Sequence, residues 1–380
     1  SEAATGRSDA KYDSQKDIYA AVFKELTEAA AALNSNKADQ AAYKDNQDLI
    51  YNGDLKKWVR LANSLRLRYA LRLVYVDPAL AKQEGEAALA ATGGLLQSND
   101  DNAGVYISGT GANGWPLFQI SGWGEFCMSK TMENMLKTTS SVADPRMPLW
   151  FGHTNGSTAE NPEFKGIPNG LATSDLSNYP ADDRSYVWGL QAMPGWNSKN
   201  NSESSFCVPI RQKVMSYAEV CLLKAEAALR GWNGAGDAKA NYLAGIKASF
   251  EAERAMVSDA SLYSTANDNT YMTTGKVEWK GDADFETHLE QIITQKWLAL
   301  YPNGTEAWTE FRRTGYPKLT PVKVSMESTI NAANGEFVKK LRYVDDELRE
   351  NPNASDKSLN GGKGDGMNVR VWWDAGNRYK

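Results

Sequence analysis

The chain has 380 residues, enough to bury a large hydrophobic core in one or two domains. Its 42 Lys and Arg against 47 Asp and Glu leave a net charge of −5 without a basic block, which argues against nucleic acid as a partner. No stretch approaches the roughly 18 consecutive apolar residues of a membrane-spanning helix. Two histidines and three cysteines without C-x-x-C spacing argue against a zinc site or a disulfide framework. We predict no metal, no cofactor and no catalytic residue.

Two helices are predicted in the first 95 residues. The first begins at a capping box formed by Ser14 and Asp17 and ends near Asn34. Its apolar face is predicted to hold Ile18, Val22, Leu26, Ala29 and Leu33. The second runs from a turn at Asn52-Gly53-Asp54 to about Val76, with Pro78 ending it. Together they are predicted to form a helical hairpin.

The second helix has two predicted sides. Its inward side consists of Trp58, Ala62, Leu65, Tyr69 and Leu73. Its opposite side carries Arg60, Arg66 and Arg68. A basic helix face is more often solvated or paired with carboxylates than used to bind phosphate, and we expect a structural role here.

Residues 96–211 differ in composition from the rest of the chain. Helical periodicity is lost except around Phe126 to Thr138, and Gly, Asn, Ser, Asp and Pro are dense. A loop region of this length within a compact domain is uncommon and often functional. A helix is predicted from Ser129 to Lys137, followed by a local ion pair or cap between Asp144 and Arg146.

The most regular pattern lies between Met215 and Phe250. Its first helix presents Val220, Leu223 and Ala227 on one face, and Gly231 stands where a left-handed C-cap residue is required. Asp237 is the predicted N-cap of a second helix. The pattern predicts a helical hairpin of the tetratricopeptide kind.

Another helix pair is predicted near the C-terminus. It consists of a helix from Phe285 to Tyr301, a turn at Pro302-Asn303-Gly304, and a short helix that Gly315 closes. The tail ends in a Gly-rich turn at 361–366 and a predicted short extended segment at 368–373.

Seven blocks of this sequence, in order, resemble the SusD/RagB family and within it the second SusD-like subfamily. They are KYDSQKDIYAAVFKELTEA, KWVRLANSLRLRYALRL, DPRMPLWF, the central YAEVCLLKAEAALRGW with DAKANYLAGIKASFE, QIITQKWLALYPNGTEAWTEFRRTGYP, LRYVDDELRENPN and VRVWWD. The resemblance implies a mainly α-helical, tetratricopeptide-like scaffold with a long loop-rich insertion. We therefore predict a single SusD-like domain over 1–380, with a helical hairpin at 1–95, a loop-rich ligand-binding region at 96–211, helical hairpins at 212–317 and C-terminal loops and short elements at 318–380.

The resemblance also implies a function. Members of the family are outer-membrane lipoproteins of Bacteroidetes that capture nutrients beside a TonB-dependent, SusC-like transporter. The family is lipidated on an N-terminal cysteine, and no cysteine or signal peptide stands near the start of this chain, where SEAATGRSDAKYDSQ matches a point well inside the family sequence. We therefore expect the chain to lack the N-terminal part and its lipid anchor. A non-catalytic, oligosaccharide-binding protein on the extracellular face of the outer membrane is the predicted function.

Aromatic residues in the loop-rich region are the candidate ligand contacts, because flat rings stack on the apolar C–H faces of sugars while amides bind their hydroxyls. Neighbouring glycines would present the rings of two constellations on exposed turns. The predicted contacts are Trp115, Trp123 and Asn113 in the first, Trp188 and Trp196 in the second, and Tyr106. Trp150, Trp297, Trp308, Trp372 and Trp373 lie in scaffold blocks and are expected to pack in the core.

Three other functions remain open on the sequence. A RagB-like member would bind peptides, and a helical-repeat scaffold would bind only proteins. A glycoside hydrolase would need a carboxylate pair, for which Glu125 with Asp144, or Asp182 with Asp183, are candidates without a catalytic motif around them. Asp365 and Asp374 stand beside Gly-rich backbone, but they lack the spacing of a calcium-binding loop. His153 is expected to be a hydrogen-bonded loop residue.

Overall fold

The computed structural model describes residues 9–36, 47–107, 126–158, 160–187, 210–256, 263–356 and 359–380. Helices dominate these ranges, and the predicted mainly α fold is confirmed. In chain order the α-helices are α1 Gln15–Asn36, α2 Leu55–Arg72, α3 Pro78–Leu89, α4 Lys130–Thr138, α5 Met147–Trp150, α6 Tyr217–Leu229, α7 Ala238–Arg254, α8 Asp268–Thr273, α9 Phe285–Ala299, α10 Gly304–Thr314 and α11 Asp345–Glu350. Two strands, β1 Ala103–Ile107 and β2 Ile210–Met215, form an antiparallel ribbon. Within the described ranges, no helix is long and apolar enough to cross a membrane.

The first two helices pack against each other as predicted, but the buried face of α1 differs from the prediction. Phe23 and Ala30 are buried, whereas Ile18 is exposed. Ala29 is exposed as well. The observed buried face is shifted by one residue from the predicted face. Tyr19 and Phe23 contact the core in place of the predicted Ile18 and Val22. The prediction for Ile18 and Ala29 was therefore wrong.

Helix α2 is packed on both of its predicted sides. The side chain of Asp54 accepts hydrogen bonds from the first turn, and the helix ends at Arg72, earlier than predicted, while Pro78 begins α3 behind the cap of Asp77. Arg68 is only 6% exposed, so its assignment to an outward face was wrong.

The predicted pairing of the basic residues of α2 with carboxylates is confirmed. Arg60 lies 3.0 Å from Asp101, and Arg66 lies 2.6 Å from Glu84. The guanidinium of Arg68 donates two bonds, of 2.7 and 2.6 Å, to the carboxylate of Glu219 on α6. Two charges that would be costly to bury singly are therefore buried as a pair.

The central hairpin forms as predicted from α6 and α7. Ser216 and Asp237 cap the two helices, and Gly231 has a φ of +71°, a conformation that disfavours residues with a Cβ atom. Helix α6 is buried on two sides: Val220 packs toward α2, and Leu222 packs toward α7. This helix is therefore the centre of the scaffold.

Helices α9 and α10 join α6 through a buried network of charged groups. Arg313 donates to both oxygens of Glu226, at 2.7 and 2.6 Å, and to both oxygens of Glu310, at 3.2 and 2.6 Å. Arg230 binds Glu226 at 2.8 Å, and Lys296 lies 3.0 Å from Glu310. Burial opposes ionisation of both carboxyls, but the surrounding cations, Arg313 first, outweigh it and hold their pKa values below the usual range.

In the middle region the predicted helix and ion pair are confirmed. Ser129 caps α4, and Arg146 contacts Asp144 at 2.6 Å, with both side chains fully buried. Trp150 lies in the core as predicted. The predicted extended segment at 368–373 is instead irregular: Trp372 and Trp373 lie in a turn.

Candidate functional site

The ribbon of β1 and β2 connects to the two segments that carry the predicted ligand contacts. Ile107, the last residue of β1, lies opposite Ile210, the first residue of β2. Residues 108–125 continue from β1, and residues 188–209 lead into β2. One end of each segment is therefore attached at the same tip of the ribbon.

The other ends of the same two segments also lie side by side. Cys127 forms an isolated bridge with Tyr186, and Phe151 forms another with Val187. The amide of Met128 donates to the carbonyl of Ser185 at 2.7 Å. The chain therefore enters and leaves both segments through paired backbone.

Glu253 at the end of α7 joins these two attachment points. Its carboxylate accepts a bond from Lys213 of β2 and a 2.8 Å bond from the indole N–H of Trp150. Lys213 also donates to the carbonyl of Tyr301 at 2.8 Å, and the rings of Tyr301 and Trp150 lie 4.7 Å apart. Burial raises the pKa of the Tyr301 phenol, and the nearby Glu253 charge adds to this effect. A largely buried cluster thus links β2 to α5, close in sequence to both pairs of ends.

A cleft of about 760 Å³ lies at the base of the ribbon. Its described lining includes amines, a guanidinium, amides, hydroxyls and carboxylates beside alanine and methionine side chains, and no aromatic ring is among these described residues. The polar lining residues are Lys57, Arg60, Ser98, Asn99, Asp100, Asp101, Asn102, Lys213, Ser216, Ser249 and Glu253. Such a wall can both donate to and accept from the hydroxyl groups of a ligand.

The polar run Ser98 to Asn102 is held rigidly in the wall of this cleft. Asp101 accepts bonds of 3.0 and 3.1 Å from Arg60 and one of 2.7 Å from the amide of Gln97. Asn102 accepts a 2.7 Å bond from the amide of Tyr217 at the start of α6. The Nε of Arg60 is buried without a hydrogen-bond partner among the described residues. Fixed side chains of this kind lower the entropic cost of binding.

The predicted contacts fall largely outside the described residues. Trp115, Trp123, Asn113, Trp188 and Trp196 lie in 108–125 and 188–209. Tyr106 pairs with Arg211 in the ribbon, and its side chain is outside the described part as well. These assignments remain predictions.

The residues that line the polar cleft were not among the predicted ligand contacts. The run Ser98-Asn99-Asp100-Asp101-Asn102 was a usable signal, because five polar residues directly precede a strand. Lys213 and Glu253 lacked any such signal, since their proximity depends on the packing of β2 against α7.

The carboxylates considered for catalysis or calcium have other partners. Asp144 is buried against Arg146, and Glu125 lies outside the described residues. Asp183 binds Lys165 at 2.6 Å, and hydrogen bonds to Asp183 and Glu163 raise the pKa of that lysine to about 12.

The two carboxylates of the C-terminal region are engaged too. Asp365 accepts bonds from Lys340 and from the amide of Tyr343, and Asp374 accepts from Arg370 and Tyr379. In the part of the chain that the structure describes, no three His, Cys, Asp or Glu side chains are grouped to hold a metal. His153 contacts the Thr154 carbonyl at 2.9 Å, as expected for a loop histidine.

Comparison with known proteins places this architecture in a family. The family model described as SusD-like, "Susd and RagB outer membrane lipoprotein", matches residues 1–374. No curated protein matches the chain. Among solved structures, a chitin-binding SusD homologue from Flavobacterium johnsoniae is 34% identical with a TM-score of 0.77, over 97% of this chain and 74% of that one.

Two further SusD homologues have the same degree of similarity. The one from Bacteroides vulgatus is 30% identical with a TM-score of 0.74, over 97% of this chain and 73% of its own. The one from Parabacteroides distasonis is 30% identical with a TM-score of 0.77, over 97% and 75%. A match over nearly the whole sequence, on a scaffold of paired helices, shows that the chain belongs to the SusD/RagB family of outer-membrane lipoproteins.

Proposed function

We propose that the chain binds an oligosaccharide without chemical conversion, at the face where the ribbon, the polar cleft and the two aromatic-rich segments meet. One observation carries the proposal: the ends of those segments lie in pairs, with Ile107 opposite Ile210 and Cys127 bridged to Tyr186. Glu253, which lines the polar cleft, bonds to Lys213 of the ribbon and to Trp150 next to the bridged Phe151. The similarity to a chitin-binding SusD homologue supports a glycan as the ligand class.

The two parts of the site would contribute different interactions. Asn99, Asn102 and Lys57 offer fixed amide and amine groups for sugar hydroxyls. Indole rings from 108–125 and 188–209 would stack on the apolar faces of the pyranose rings. We expect tight binding to need both the polar side chains and the indole rings. Exposed hydrogen bonds to the sugar compete with water, and a single stacked ring contributes little binding energy.

The charged groups of the cleft favour binding over hydrolysis. A glycosidase requires two carboxyls across the scissile bond, one of which acts as an acid. Asp101 is paired with Arg60, and Glu253 is paired with Lys213. Both carboxylates are thus engaged in ion pairs within the protein, which suits structural roles. This agrees with the non-catalytic character of the family.

For the cellular role, we propose capture at the extracellular face of the outer membrane and transfer to a TonB-dependent, SusC-like transporter. A helical scaffold that presents its ligand on one face leaves other surfaces available for such a partner. Co-purification with an outer-membrane barrel from the native host would test this step independently of sugar binding.

The binding proposal is tested by isothermal titration and affinity gels with chitin oligosaccharides and other soluble glycans. Trp115→Ala, Trp123→Ala, Trp188→Ala and Trp196→Ala are compared with a control, Trp372→Ala, whose partly buried ring packs beside Tyr19 of α1 and lines neither cleft. We expect at least one loop variant to lose about tenfold in affinity, since about 1.4 kcal/mol is a plausible stacking contribution. The control should bind as the parent does.

Three results would overturn the proposal. Glycan binding that none of the four substitutions changes would remove the aromatic segments from the site. Binding of peptides but not of any glycan would favour the RagB-like alternative. Release of reducing sugar from a bound polysaccharide would show a hydrolase.

A further inference from the structure

A second cleft, of about 470 Å³, lies between α4, α9, the loop at 275–280 and the residues that follow α10. Its volume lies within the range of small-molecule pockets. It shares no lining residue with the polar cleft at the ribbon. Tyr242 of α7 lines one and Glu253 of the same helix lines the other, so about 16 Å of helix separates these two walls.

The side chains around this cleft carry an excess of positive charge. Lys276, Lys280 and Lys318 line it together with a single carboxylate, Glu290. Lys280 is neutralised by Glu278 at 2.6 Å. Among the described residues no carboxylate pairs with Lys276 or Lys318, and the ammonium of Lys318 lies 4.3 Å from the ring centroid of Tyr316. The two unpaired ammonium groups favour an anionic ligand.

The wall of the cleft also contains an acceptor without a partner. The Nε2 of Gln291 donates to the carbonyls of Lys276 and Glu278, at 2.9 and 2.6 Å. These two bonds determine the orientation of the amide, because the reverse orientation would point its oxygen at two carbonyl oxygens. The Oε1 of Gln291 is then buried without a hydrogen-bond partner in the described structure, on a residue that is only 7% exposed. The atom has almost no accessible surface, so a ligand O–H or N–H group would satisfy it only with a small movement of the side chains that enclose it.

Most of the accessible surface of the cleft is apolar, although Asn134, Gln295 and four threonines also line it. Met135, Tyr242, Val277 and Pro317 are among the lining residues, and the hydroxyl of Tyr242 is already bound to the carbonyl of Val277 at 2.8 Å. An inorganic anion would leave this surface without a contact. An organic molecule with an apolar face would cover it.

We propose that this second cleft binds a small organic carboxylate that also carries hydroxyl or amide groups, with Lys276 and Lys318 attracting the carboxylate and Gln291 accepting from a donor. A sugar acid and the C-terminal residue of a peptide share this chemistry. The inference is independent of the glycan proposal, because it concerns different residues and a charged ligand.

Two carboxylate probes are used, each with an uncharged control compound. Sodium glucuronate is compared with glucose, and N-acetylglycylglycine is compared with the same dipeptide carrying a C-terminal amide. Binding to the full chain is followed by NMR chemical-shift titration at low ionic strength. We expect glucuronate, the dipeptide or both to bind, and the uncharged control compounds to bind at least about threefold more weakly, with the difference decreasing as salt is added. The probe that binds more tightly identifies the source.

Substitutions of opposite sign test the charge assignment. Lys276→Met and Lys318→Met should each weaken binding by about threefold, whereas Glu290→Gln should strengthen it by a similar factor. Lys247→Met is the control, because that lysine is exposed on α7 and does not line the cleft. A purely structural effect would not change affinity in both directions.

The inference is overturned if neither carboxylate binds, if the uncharged control compounds bind equally well, or if the three substitutions do not change affinity. Loss of glycan binding in the tryptophan variants, with carboxylate binding retained, would leave this inference intact. The failures of the two proposals are therefore distinguishable.

Discussion

Replacing Arg313 by Met tests whether the buried charged network stabilises the helical scaffold. The guanidinium is fully buried and makes four charge-assisted hydrogen bonds to Glu226 of α6 and Glu310 of α10. Methionine has similar length but cannot donate, so the substitution leaves two buried carboxylates without their shared donor.

The expected cost follows from what remains around those carboxylates. Glu226 retains Arg230 at 2.8 Å, and Glu310 retains Lys296 at 3.0 Å. Each carboxylate loses two of its hydrogen bonds while staying buried. Removal of one partner from a buried ion pair typically costs about 3–5 kcal/mol, and we expect a loss of stability in this range.

The assay is urea unfolding at neutral pH, followed by circular dichroism. Arg349→Met is the matched control, because Arg349 pairs with Asp346 at 2.8 Å on the surface, and an exposed pair contributes about 0–1 kcal/mol. The double variant Arg313→Met, Glu226→Gln removes one of the two carboxylate charges that have lost Arg313. It should therefore be more stable than Arg313→Met alone.

Two outcomes would refute this reasoning. A cost for Arg313→Met no larger than that of the surface control would mean that the network does not stabilise the fold. A double variant less stable than the single one would mean that the lost hydrogen bonds, and not an unpaired charge, determine the effect.

Two further predictions concern packing and pH. Gly245→Ala should destabilise the α6–α7 hairpin by about 0.5–2 kcal/mol, because an added Cβ would lie 2.6 Å from Cγ of buried Leu222. Thermal unfolding measures the loss of stability. The control is Gly281→Ala, whose added Cβ would meet nothing within 4 Å. Equal melting temperatures would contradict it. Because the cations hold the pKa values of Glu226 and Glu310 below the unfolded value of about 4.3, their contribution to stability is present above that pH and is lost as the pH falls further. The free energy of unfolding, measured by urea denaturation at a series of acidic pH values, should show this decrease, and a weaker decrease in Arg313→Met. Identical pH profiles for the two proteins would contradict the role given to Arg313.

The elements predicted correctly from the sequence depend on local chemistry. Ser129 and Asp237 cap their helices because a short polar side chain reaches the free amides of the next turn. Gly315 ends α10 with a φ of +72°, as its position after an amphipathic run predicted. Asp144 and Arg146 pair within three residues of each other. In each case the partner lies within one helical turn, so the sequence contains both halves of the interaction.

The incorrect predictions concern helices with more than one neighbour. A periodic pattern assigns one inward and one outward face, and on this basis Arg68 was placed outward. In the fold, α2 lies between α1 and α3 on one side and α6 on the other, and Arg68 meets Glu219 at a separation of 151 residues. Periodicity contains no information about a partner so distant.

The candidate site shows the same division. Trp115 and Trp188 were selected because aromatic residues among glycines are typical of sugar contacts, and these assignments remain predictions. The polar cleft was not selected, since Lys213 and Glu253 form a pair only after β2 packs against α7.

By itself, the sequence determined the helical class, several of the helix caps and the kinship with the SusD/RagB family, because capping, periodicity and ordered motifs act over short distances along the chain. Only the tertiary structure decided that the ends of the two aromatic-rich segments lie in pairs, with Glu253 linking β2 to α5 nearby, and that a basic cleft forms apart from them. Both arrangements join residues far apart in the chain, whose contact depends on packing rather than on neighbouring sequence.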